Sequence, residues 1–474
     1  PRWPWKPPQA VCPRQVPGQP TPKRLWGLTA PAIWVKNSVN TAGVPAPFFY
    51  VVTKPGQSDI TMRDYDIIEA DEALDIVLRH AHPLTPRTLP LLEAQELVLA
   101  QDVMAQEDLP PFPCSSKDGF AVIAADTTNP RRLVGEQTAG YIADLHVVPG
   151  TCVRITTGAP IPPGADAVIM VEYTQEAQGL ITLQGSVPAG ADVRPIGQDI
   201  TRGQCVLEAG MRLGPQEIGL LASLGMTAVL VYPRPRVAVL STGDEIVEPD
   251  VLPGPGQIRD SNRYALMAAI RRAGAEAVSL GIGTDHQEEL TSKIAQGLAT
   301  CDAVITSGGV SMGELDLIKP ILEGRGQVHF GRVNMKPGKP LTFATVDQKP
   351  VFALPGFPVS SLVSFELFVR PALRRLGGQS LVLRPRVPVT LAESIQGDAW
   401  RPEFHRARLV QEDGRYLART TGMQSSARLL SMVGANGLLV LPKQAKPFQA
   451  GETVQAILLE YPETEAYPPS WAPA

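Results

Sequence analysis

The chain has 474 residues, 44% of them hydrophobic, and its 43 basic and 47 acidic side chains give a formal net charge of −4. This balance excludes a surface built for general nucleic-acid binding, and no apolar run approaches the roughly 18 residues that a membrane span needs. The five cysteines are scattered without metal-ligand spacing, which favours a reducing compartment. We therefore expect a cytoplasmic protein with several domains, no nucleic-acid partner and no membrane partner.

Residues 1–61 differ in composition from the rest of the chain. They hold 12 of the 47 prolines and four of the six tryptophans, without sustained periodicity. Because proline at this density removes backbone donors and favours extended chain, we predict a disordered N-terminal extension. Met62 stands just before the regular part of the sequence, so an upstream start, which would make residues 1–61 non-native, is a further interpretation. A segment that recognises a partner through its Trp and Pro side chains is the alternative. Residues 463–474 are predicted to be a C-terminal tail.

The next part of the chain predicts helices on either side of a β-rich insertion. Apolar residues at helical spacing predict helices over residues 69–80, near residues 90–99 and over residues 215–224. Residues 62–110 and 192–235 are therefore predicted to form a helical, elongated linking domain. Between them, residues 111–191 contain short β-branched runs bounded by Gly and Pro, which predicts an inserted β-rich domain.

Strand and helix patterns alternate after Pro233. This alternation predicts an α/β domain with a parallel sheet over residues 236–382, and strand-length segments predict a small C-terminal β domain over residues 383–462. The predicted fold class is therefore α/β and multidomain. Loops at the carboxyl ends of parallel strands form a ligand crevice, so Asp244, Glu245 and Asp285 are expected to converge there.

One strand end has the composition of an anion and metal site. Residues 302–316 read Asp-Ala-Val-Ile-Thr-Ser-Gly-Gly-Val-Ser-Met-Gly-Glu-Leu-Asp. Flexible φ angles at Gly308 and Gly309, after Ser307, allow backbone N–H groups to converge on an anion. Glu314 and Asp316 are hard oxygen ligands that suit Mg²⁺ beside it. The alternative is an ordinary strand-to-helix turn, with solvated acidic residues at the start of the helix.

Two further loops have complementary chemistry. Residues 334–340 (Asn-Met-Lys-Pro-Gly-Lys-Pro) present Lys336 and Lys339 from a turn stiffened by proline, which suits a polyanionic ligand. Residues 351–361 are predicted to form an apolar strand that is interrupted at Pro355 and Pro358. A helix follows, and the backbone N–H groups of its first turn provide a further anion-binding site. Solvated surface lysines are the alternative for the first loop.

Individual acids have structural alternatives as well. A cation bound between the adjacent carboxylates of Asp244 and Glu245 would relieve their repulsion, whereas N-capping of the next element is the alternative for Asp244. Asp118 precedes Gly119, where an Asx turn would be its structural role.

The order and content of these segments resemble the MoeA family, the molybdopterin molybdenumtransferases, which include the E domain of gephyrin. The resemblance runs from about residue 64 to about residue 459. It includes residues 115–122 (Ser-Ser-Lys-Asp-Gly-Phe-Ala-Val), 154–160 (Arg-Ile-Thr-Thr-Gly-Ala-Pro) and 241–245 (Ser-Thr-Gly-Asp-Glu). It implies a three-layer molybdopterin-binding domain over residues 236–382, accompanied by the inserted, linking and C-terminal domains.

The resemblance also implies an activity. Adenylylated molybdopterin would be the substrate, molybdate would be inserted at its dithiolene, and AMP would leave with the assistance of Mg²⁺. The protein would be a homodimer with shared active sites, and the upstream adenylyltransferase is an expected partner. A molybdopterin adenylyltransferase and a non-catalytic molybdopterin-binding scaffold are the alternatives.

Site residues follow from the motifs together with the resemblance. The resemblance places Asp118 and Thr157 in the partner's cleft. The residues predicted to be catalytic are Asp118, Thr157, Glu245, Asp285, Asp316 and Lys336. The residues predicted to bind substrate are Asp199, Asp244, Ser307, Gly308, Gly309, Arg332, Lys339, Pro355, Pro358, Arg406 and Ser426. The residues predicted to hold Mg²⁺ are Glu245, Glu314 and Asp316.

Four positions depart from the family pattern. Phe357 stands where Asn is usual, Lys117 where Met is usual, and Ser425 where Gly is usual. Arg332 replaces a lysine near the phosphate site, which keeps the charge but changes its geometry. These departures leave the predicted chemistry in place and make altered efficiency the expected difference.

Overall fold

The computed structural model describes residues 65–309, 317–412 and 414–461. The predicted extension over residues 1–61, the predicted tail over residues 463–474, and the acids Glu314 and Asp316 lie outside the described residues. Within the described ranges, none of the helices combines the length and apolar content needed to cross a bilayer.

The first helix, Ala70–His80, forms as predicted. It follows the short strand Ile68–Glu69, which pairs in parallel with Val333–Asn334. Ala73 and Val77 are fully buried against the core of the α/β domain. This helix therefore packs on the α/β domain, although the sequence placed it with the linking region.

The linking region is built mainly of strands. Ala228–Tyr232 is the central strand of a three-stranded antiparallel sheet, between Arg87–Pro90 and Val98–Leu99, and Val103–Met104 pairs with Cys205–Leu207. The helix Pro215–Ser223 packs on this sheet. Only Pro233, Arg234 and Pro235 separate Ala228–Tyr232 from the first strand of the α/β domain.

The prediction of a helix near residues 90–99 is wrong. The chain turns after the strand Arg87–Pro90, passes through a left-handed conformation at Glu96 (φ 70°), and re-enters the sheet at Val98–Leu99. Leu97, Val98 and Leu99 are all buried, which is a continuous pattern rather than a helical stripe. Pairing with Ala228–Tyr232 thus overrides local helix propensity.

The inserted domain is β-rich, as predicted. Six strands form one sheet with a packed cluster of apolar side chains on each face, and Phe120 belongs to one cluster and Ala121 to the other. The strands in spatial order are Thr174–Ala177, Leu180–Leu183, Arg131–Gln137, Thr151–Ile155, Gly119–Val122 and Ala167–Met170. A smaller antiparallel pair, Cys114–Ser115 with Val193–Arg194, holds the base of the insertion.

The α/β domain has a six-stranded mixed sheet. Its strands in spatial order are Glu276–Gly283, Arg236–Thr242, Ala303–Ser307, Lys349–Leu354, Thr342–Val346 and Gln327–Phe330. The first four are parallel to one another, Thr342–Val346 runs antiparallel to Lys349–Leu354, and Gln327–Phe330 runs antiparallel to Thr342–Val346. The helices are Asn262–Arg272, Gln287–Thr300, Ile318–Arg325 and Pro358–Ser364, the last continuing through a π-helical turn, Phe365–Val369, into Arg370–Leu376.

The antiparallel edge departs from the predicted all-parallel sheet. Thr342–Val346 and Lys349–Leu354 are joined by only Asp347 and Gln348, whose φ angles are 49° and 62°. Two consecutive positive φ angles are the signature of a type I′ hairpin turn. A two-residue connection cannot cross the sheet, so these strands pair as a hairpin.

The C-terminal region is a closed five-stranded barrel, in agreement with the predicted small β domain. Its strands in order are Arg386–Leu391, Arg415–Thr420, Glu403–Glu412, Gly437–Leu441 and Thr453–Leu458. Two backbone hydrogen bonds attach it to the lysine loop: Lys336 N–H donates to Pro402 O (2.9 Å) and Phe404 N–H to Lys336 O (2.8 Å). The barrel is therefore fixed beside the strand ends of the α/β domain.

The hairpin turn generates a stability prediction. Gln348 is exposed and left-handed, a conformation that costs non-glycine residues about 1–2 kcal/mol. Gln348→Gly is expected to raise the free energy of unfolding by about 1 kcal/mol, and Gln348→Val to lower it, because a β-branched residue tolerates positive φ poorly. Urea unfolding followed by circular dichroism measures both. Equal midpoints for the two variants would contradict the turn assignment.

Candidate active site

A cavity of about 1050 Å³ lies where the carboxyl ends of three parallel strands meet the C-terminal barrel. The strands are Arg236–Thr242, Ala303–Ser307 and Lys349–Leu354. The predicted site residues that line it are Glu245, Asp285, Ser307, Gly308, Gly309, Lys336, Lys339, Pro355, Pro358 and Ser426. Three predicted loops of the α/β domain therefore share one cavity, and Arg401 and residues 424–427 complete it from the barrel.

The Gly308–Gly309 turn requires glycine at both positions. Their φ angles are 99° and 66°, and a Cβ atom on Gly308 would lie 2.5 Å from the carbonyl oxygen of Thr242. The Gly308 N–H donates to Leu354 O (3.1 Å). The turn thus packs closely between the strand ends at Thr242 and Leu354, and its backbone lies at the cavity surface.

Asn262 is a cavity residue that sequence reasoning missed. Its Nδ2 donates to Ser307 Oγ (2.8 Å) and to Gly356 O (2.7 Å), so it ties two of the three loops together. Its Oδ1 is buried without a hydrogen-bond partner, as is Oγ1 of Thr242, which also lines the cavity. Buried polar atoms without partners are costly, so both are suited to contact a ligand.

A buried ion pair fixes the polar segment that carries Asn262. Asp260 Oδ2 lies 2.9 Å from Arg263 Nε, and Asp260 Oδ1 accepts from Ser241 Oγ at 2.9 Å. The side chains of Asp260 and Arg263 are only 1% and 6% exposed. The polar run Asp-Ser-Asn over residues 260–262, where the helix Asn262–Arg272 begins, is the sequence signal that could have identified this segment.

Glu245 and Asp285 line the cavity, and Asp244 lies beside them. Burial and the neighbouring charges of Asp244 and Glu245 raise the pKa of Asp285. The Asp285 backbone N–H donates to Asp244 Oδ1 (3.0 Å), although Asp244 itself does not line the cavity. Gly243 approaches the Glu245 carboxylate so closely that a Cβ atom there would lie 2.4 Å from Oε2. The predicted convergence of these acids is therefore present.

The two predicted lysines differ in their partners. Lys336 Nζ lies 2.9 Å from Glu403 Oε1 and 3.3 Å from Asp398 Oδ2, and the hydrogen bond to Glu403 raises the pKa of Lys336. Lys339 also lines the cavity, and it forms no ion pair with any carboxylate in the described part of the chain. Lys339 is therefore the cation more available to an anionic ligand.

Arg406 lies behind the cavity rather than in it. Its side chain is fully buried, and the guanidinium donates to Ser431 Oγ (3.2 Å) and to the carbonyl oxygens of Phe404 and Ser425 (3.3 Å each). Burial lowers its pKa to about 10. Arg406 thus supports the loop that brings Ser426 to the cavity, where Ser426 O accepts from Val359 N–H (3.1 Å).

Four other predicted residues do not line the cavity. Asp118 and Thr157 contact each other on the inserted domain: Asp118 Oδ1 accepts from the Thr157 backbone N–H (2.7 Å) and Oγ1 (3.0 Å), and the backbone hydrogen bond lowers the pKa of Asp118. Asp199 pairs with Arg194. Arg332 precedes the short strand Val333–Asn334. None of the four is brought to the cavity within this chain.

The predicted metal site is described only in part. Of its three ligands, Glu245 is described, and Glu314 and Asp316 are not. Among the residues that the structure describes, no group of three or more His, Cys, Asp or Glu side chains has an arrangement that could hold a metal ion. Phe357 and Ser425, two of the departures from the family pattern, both line the cavity.

Three segments of the sequence match described protein families. Residues 68–225 match the MoeA N-terminal region (domain I and II), residues 238–375 a probable molybdopterin binding domain, and residues 388–459 the MoeA C-terminal region (domain IV). Together they span the inserted, linking, α/β and barrel regions.

Curated relatives include a gephyrin from Dictyostelium discoideum, 38% identical over 83% of this chain and 62% of its own length. The chain thus spans less than two thirds of that relative. A molybdopterin molybdenumtransferase 2 from Mycobacterium tuberculosis is 38% identical over 78% of this chain and 94% of its own length.

Two crystal structures of a molybdopterin biosynthesis MoeA protein from Pyrococcus horikoshii match with TM-scores of 0.72 and 0.69, at 30% and 28% identity. They cover 84% and 83% of this chain and 100% of theirs.

The Gly308 turn generates a stability prediction with a matched control. Gly308→Ala is expected to lower the free energy of unfolding by about 1–3 kcal/mol, because the new Cβ atom meets backbone at a strained φ angle. Gly324→Ala is the control, since Gly324 is exposed in the helix Ile318–Arg325 with open space at its Cβ position. Urea unfolding measures both, and a similar loss in the two variants would contradict a tight turn at Gly308.

Proposed function

Because the chain belongs to the MoeA family, we propose that it is a molybdopterin molybdenumtransferase, an enzyme that inserts molybdate into adenylylated molybdopterin and releases AMP. Relatives named molybdopterin molybdenumtransferase are 36–38% identical over 78% of this chain. The observation that carries the proposal is the single cavity at which a glycine turn, two lysines and a group of acids meet. The cytoplasmic location expected from the sequence belongs to this proposal.

The cavity has the size and chemistry for two anionic reactants. Its volume of about 1050 Å³ is at the upper end of ordinary ligand pockets, which suits a bulky dinucleotide-like substrate with molybdate beside it. Asn262 Oδ1 and Thr242 Oγ1 are buried polar atoms that a ligand would satisfy. Their position between the strand ends favours recognition of the pterin or nucleotide part, since a carbonyl oxygen does not suit an anion.

The two lysines would contribute differently to anion binding. Lys339 has its charge available, and a cation in a partly enclosed cavity stabilises negative charge that develops on a leaving phosphate or an entering oxyanion. Lys336 forms ion pairs with Glu403 and Asp398, so its main contribution is to keep the loop in place. The two lysines thus have separate roles: Lys339 binds an anion and Lys336 positions the loop.

Mg²⁺ fits the acidic side of the cavity. Burial, followed by the nearby charges of Asp244 and Glu245, raises the pKa of Asp285, and a divalent cation would relieve the repulsion among these carboxylates. Mg²⁺ is commonly held by one or two carboxylates together with substrate phosphates and waters, so the absence of a three-ligand group among the described residues agrees with such a site. Glu245 and Asp285 would hold it, and it would neutralise charge on the phosphate when bound.

Asp118 and Thr157 support a shared site in a homodimer. Both are exposed and hydrogen-bonded to each other, yet they do not line the cavity of their own chain. A catalytic role for these residues therefore requires a second copy of the chain, in which the inserted domain of one protomer reaches the cavity of its partner.

The two alternatives have less support. An adenylyltransferase does not account for the matches over residues 68–225 and 388–459, which lie outside the molybdopterin-binding domain. A scaffold role, with gephyrin as the related protein, does not account for a large cavity lined by Lys339, Glu245 and Asp285. The upstream adenylyltransferase remains an expected partner that would deliver the substrate.

Release of AMP from adenylylated molybdopterin tests the activity. The purified chain is expected to release AMP only when molybdate and Mg²⁺ are present. Lys339→Ala is expected to slow release at least about tenfold, which corresponds to about 1.4 kcal/mol of lost stabilisation. Lys446→Ala is the control, because Lys446 is an exposed lysine of the barrel that does not line the cavity. AMP release that ignores molybdate would refute the proposed reaction.

Mixed dimers test the shared site. Asp118→Ala and Lys339→Ala chains with different affinity tags are co-expressed, and the mixed dimers are purified on both tags. Each homodimeric variant is expected to be weakly active, whereas the mixed dimer recovers one intact site and about half of the normal rate. A confirmed mixed dimer no more active than either variant alone would exclude a site shared in this way.

A further inference from the structure

A second cavity, of about 180 Å³, is lined by arginines. It lies between the linking region and the α/β domain, at the ends of the helices Asn262–Arg272 and Arg370–Leu376. The arginines that line it are Arg212, Arg234, Arg271, Arg272 and Arg374. Glu96 is the acid among its lining residues. The cavity shares no lining residue with the candidate active site.

Most of this positive charge is not neutralised. Arg212 pairs with Glu96, and Arg272 pairs with Glu460. Arg234, Arg271 and Arg374 form no ion pair with a carboxylate in the described ranges. Arg234 reaches only a backbone oxygen, that of Gln95 (3.1 Å). Three of the five lining arginines thus have no carboxylate partner in the described part of the chain.

Two buried polar atoms at this cavity lack partners. Arg374 Nε is one of them, although Arg374 Nη2 donates to Leu381 O (3.3 Å). Gln379 Oε1 is the other, and rotation of that amide would present its Nε2 donor instead. Burial, followed by the charges of Arg212 and Arg384, lowers the pKa of Arg374. A bound anion would relieve the repulsion among the arginines.

Helix dipoles account for only part of the arrangement. Arg271 and Arg272 lie in the last turn of one helix and Arg374 in the last turn of another, where cations are favourable. Each helix end is equivalent to roughly half a negative charge, so the two ends offset about one of the three unpaired guanidinium groups. The dipoles also leave Arg374 Nε without an acceptor.

We propose that this arginine-lined cavity binds a tetrahedral oxyanion, a phosphate or molybdate ion. Guanidinium groups match such ions because each can donate two parallel hydrogen bonds. The volume of about 180 Å³ lies below the roughly 300 Å³ at which pockets for drug-sized ligands begin, so it suits a single ion rather than a nucleotide. Arg234 lies in the connector between the two regions, so the bound ion fastens the linking region to the helix ends.

Calorimetric titration of the purified full chain with inorganic phosphate tests this site. Arg271→Ala and Arg374→Gln are expected to weaken phosphate binding at least about tenfold, since each removes a charge-assisted donor. Arg375→Ala is the matched control, because Arg375 is exposed in the same helix turn but does not line the cavity. Weaker phosphate binding by the Lys339→Ala variant would show that phosphate binds in the active-site cavity instead. Arg271 is exposed, so its substitution tests the site even if Arg374→Gln fails to fold.

The same titrations with molybdate identify the source of the ion. A stronger effect of Arg271→Ala on molybdate binding than on phosphate binding assigns the site to molybdate, and the reverse assigns it to phosphate. The proposal is overturned if neither ion binds below about 10 mM, a limit that corresponds to a binding free energy of only about 3 kcal/mol. It is also overturned if Arg375→Ala weakens binding as much as Arg271→Ala, or if only Lys339→Ala weakens it.

Discussion

The attachment of the barrel to the lysine loop is the constraint on which the rest of the site depends. Lys336 pairs with Glu403 as a parallel bridge, through the backbone hydrogen bonds to Pro402 and from Phe404. The Lys336 ammonium group reinforces the bridge, because the Glu403 carboxylate is buried and would be costly without a cation. This contact holds Arg401 beside the strand ends, and it leaves Lys339 as the available charge in the same loop.

Much of the α/β domain and its loops could be predicted from the sequence because their signals are local. Buried parallel strands have continuous apolar runs, and Gly308 and Gly309 mark the point where one of them ends. The acids Glu245 and Asp285 converge because the carboxyl ends of parallel strands share one edge of the sheet. Their lining positions therefore follow from chain order and strand direction alone.

The remaining features depend on tertiary contacts that no local pattern specifies. Residues 90–99 carry helix-forming side chains, but pairing with Ala228–Tyr232 decides their conformation. Arg406 has the residue type of an anion ligand, and only its burial beneath the loop shows that it supports the site from behind. Asn262 was missed because its function depends on two loops that are 45 and 94 residues distant in sequence.

The short connector Pro233-Arg234-Pro235 has a mechanical consequence. It joins the central strand of the linking sheet, Ala228–Tyr232, to Arg236–Thr242, whose far end carries the carbonyl that lies against Gly308. Each proline fixes its own φ angle, so the connector between the two strands has few conformations. The linking sheet, which supplies none of the cavity's described lining residues, is therefore joined by a short and restricted connector to the strand that ends at the Gly308 turn.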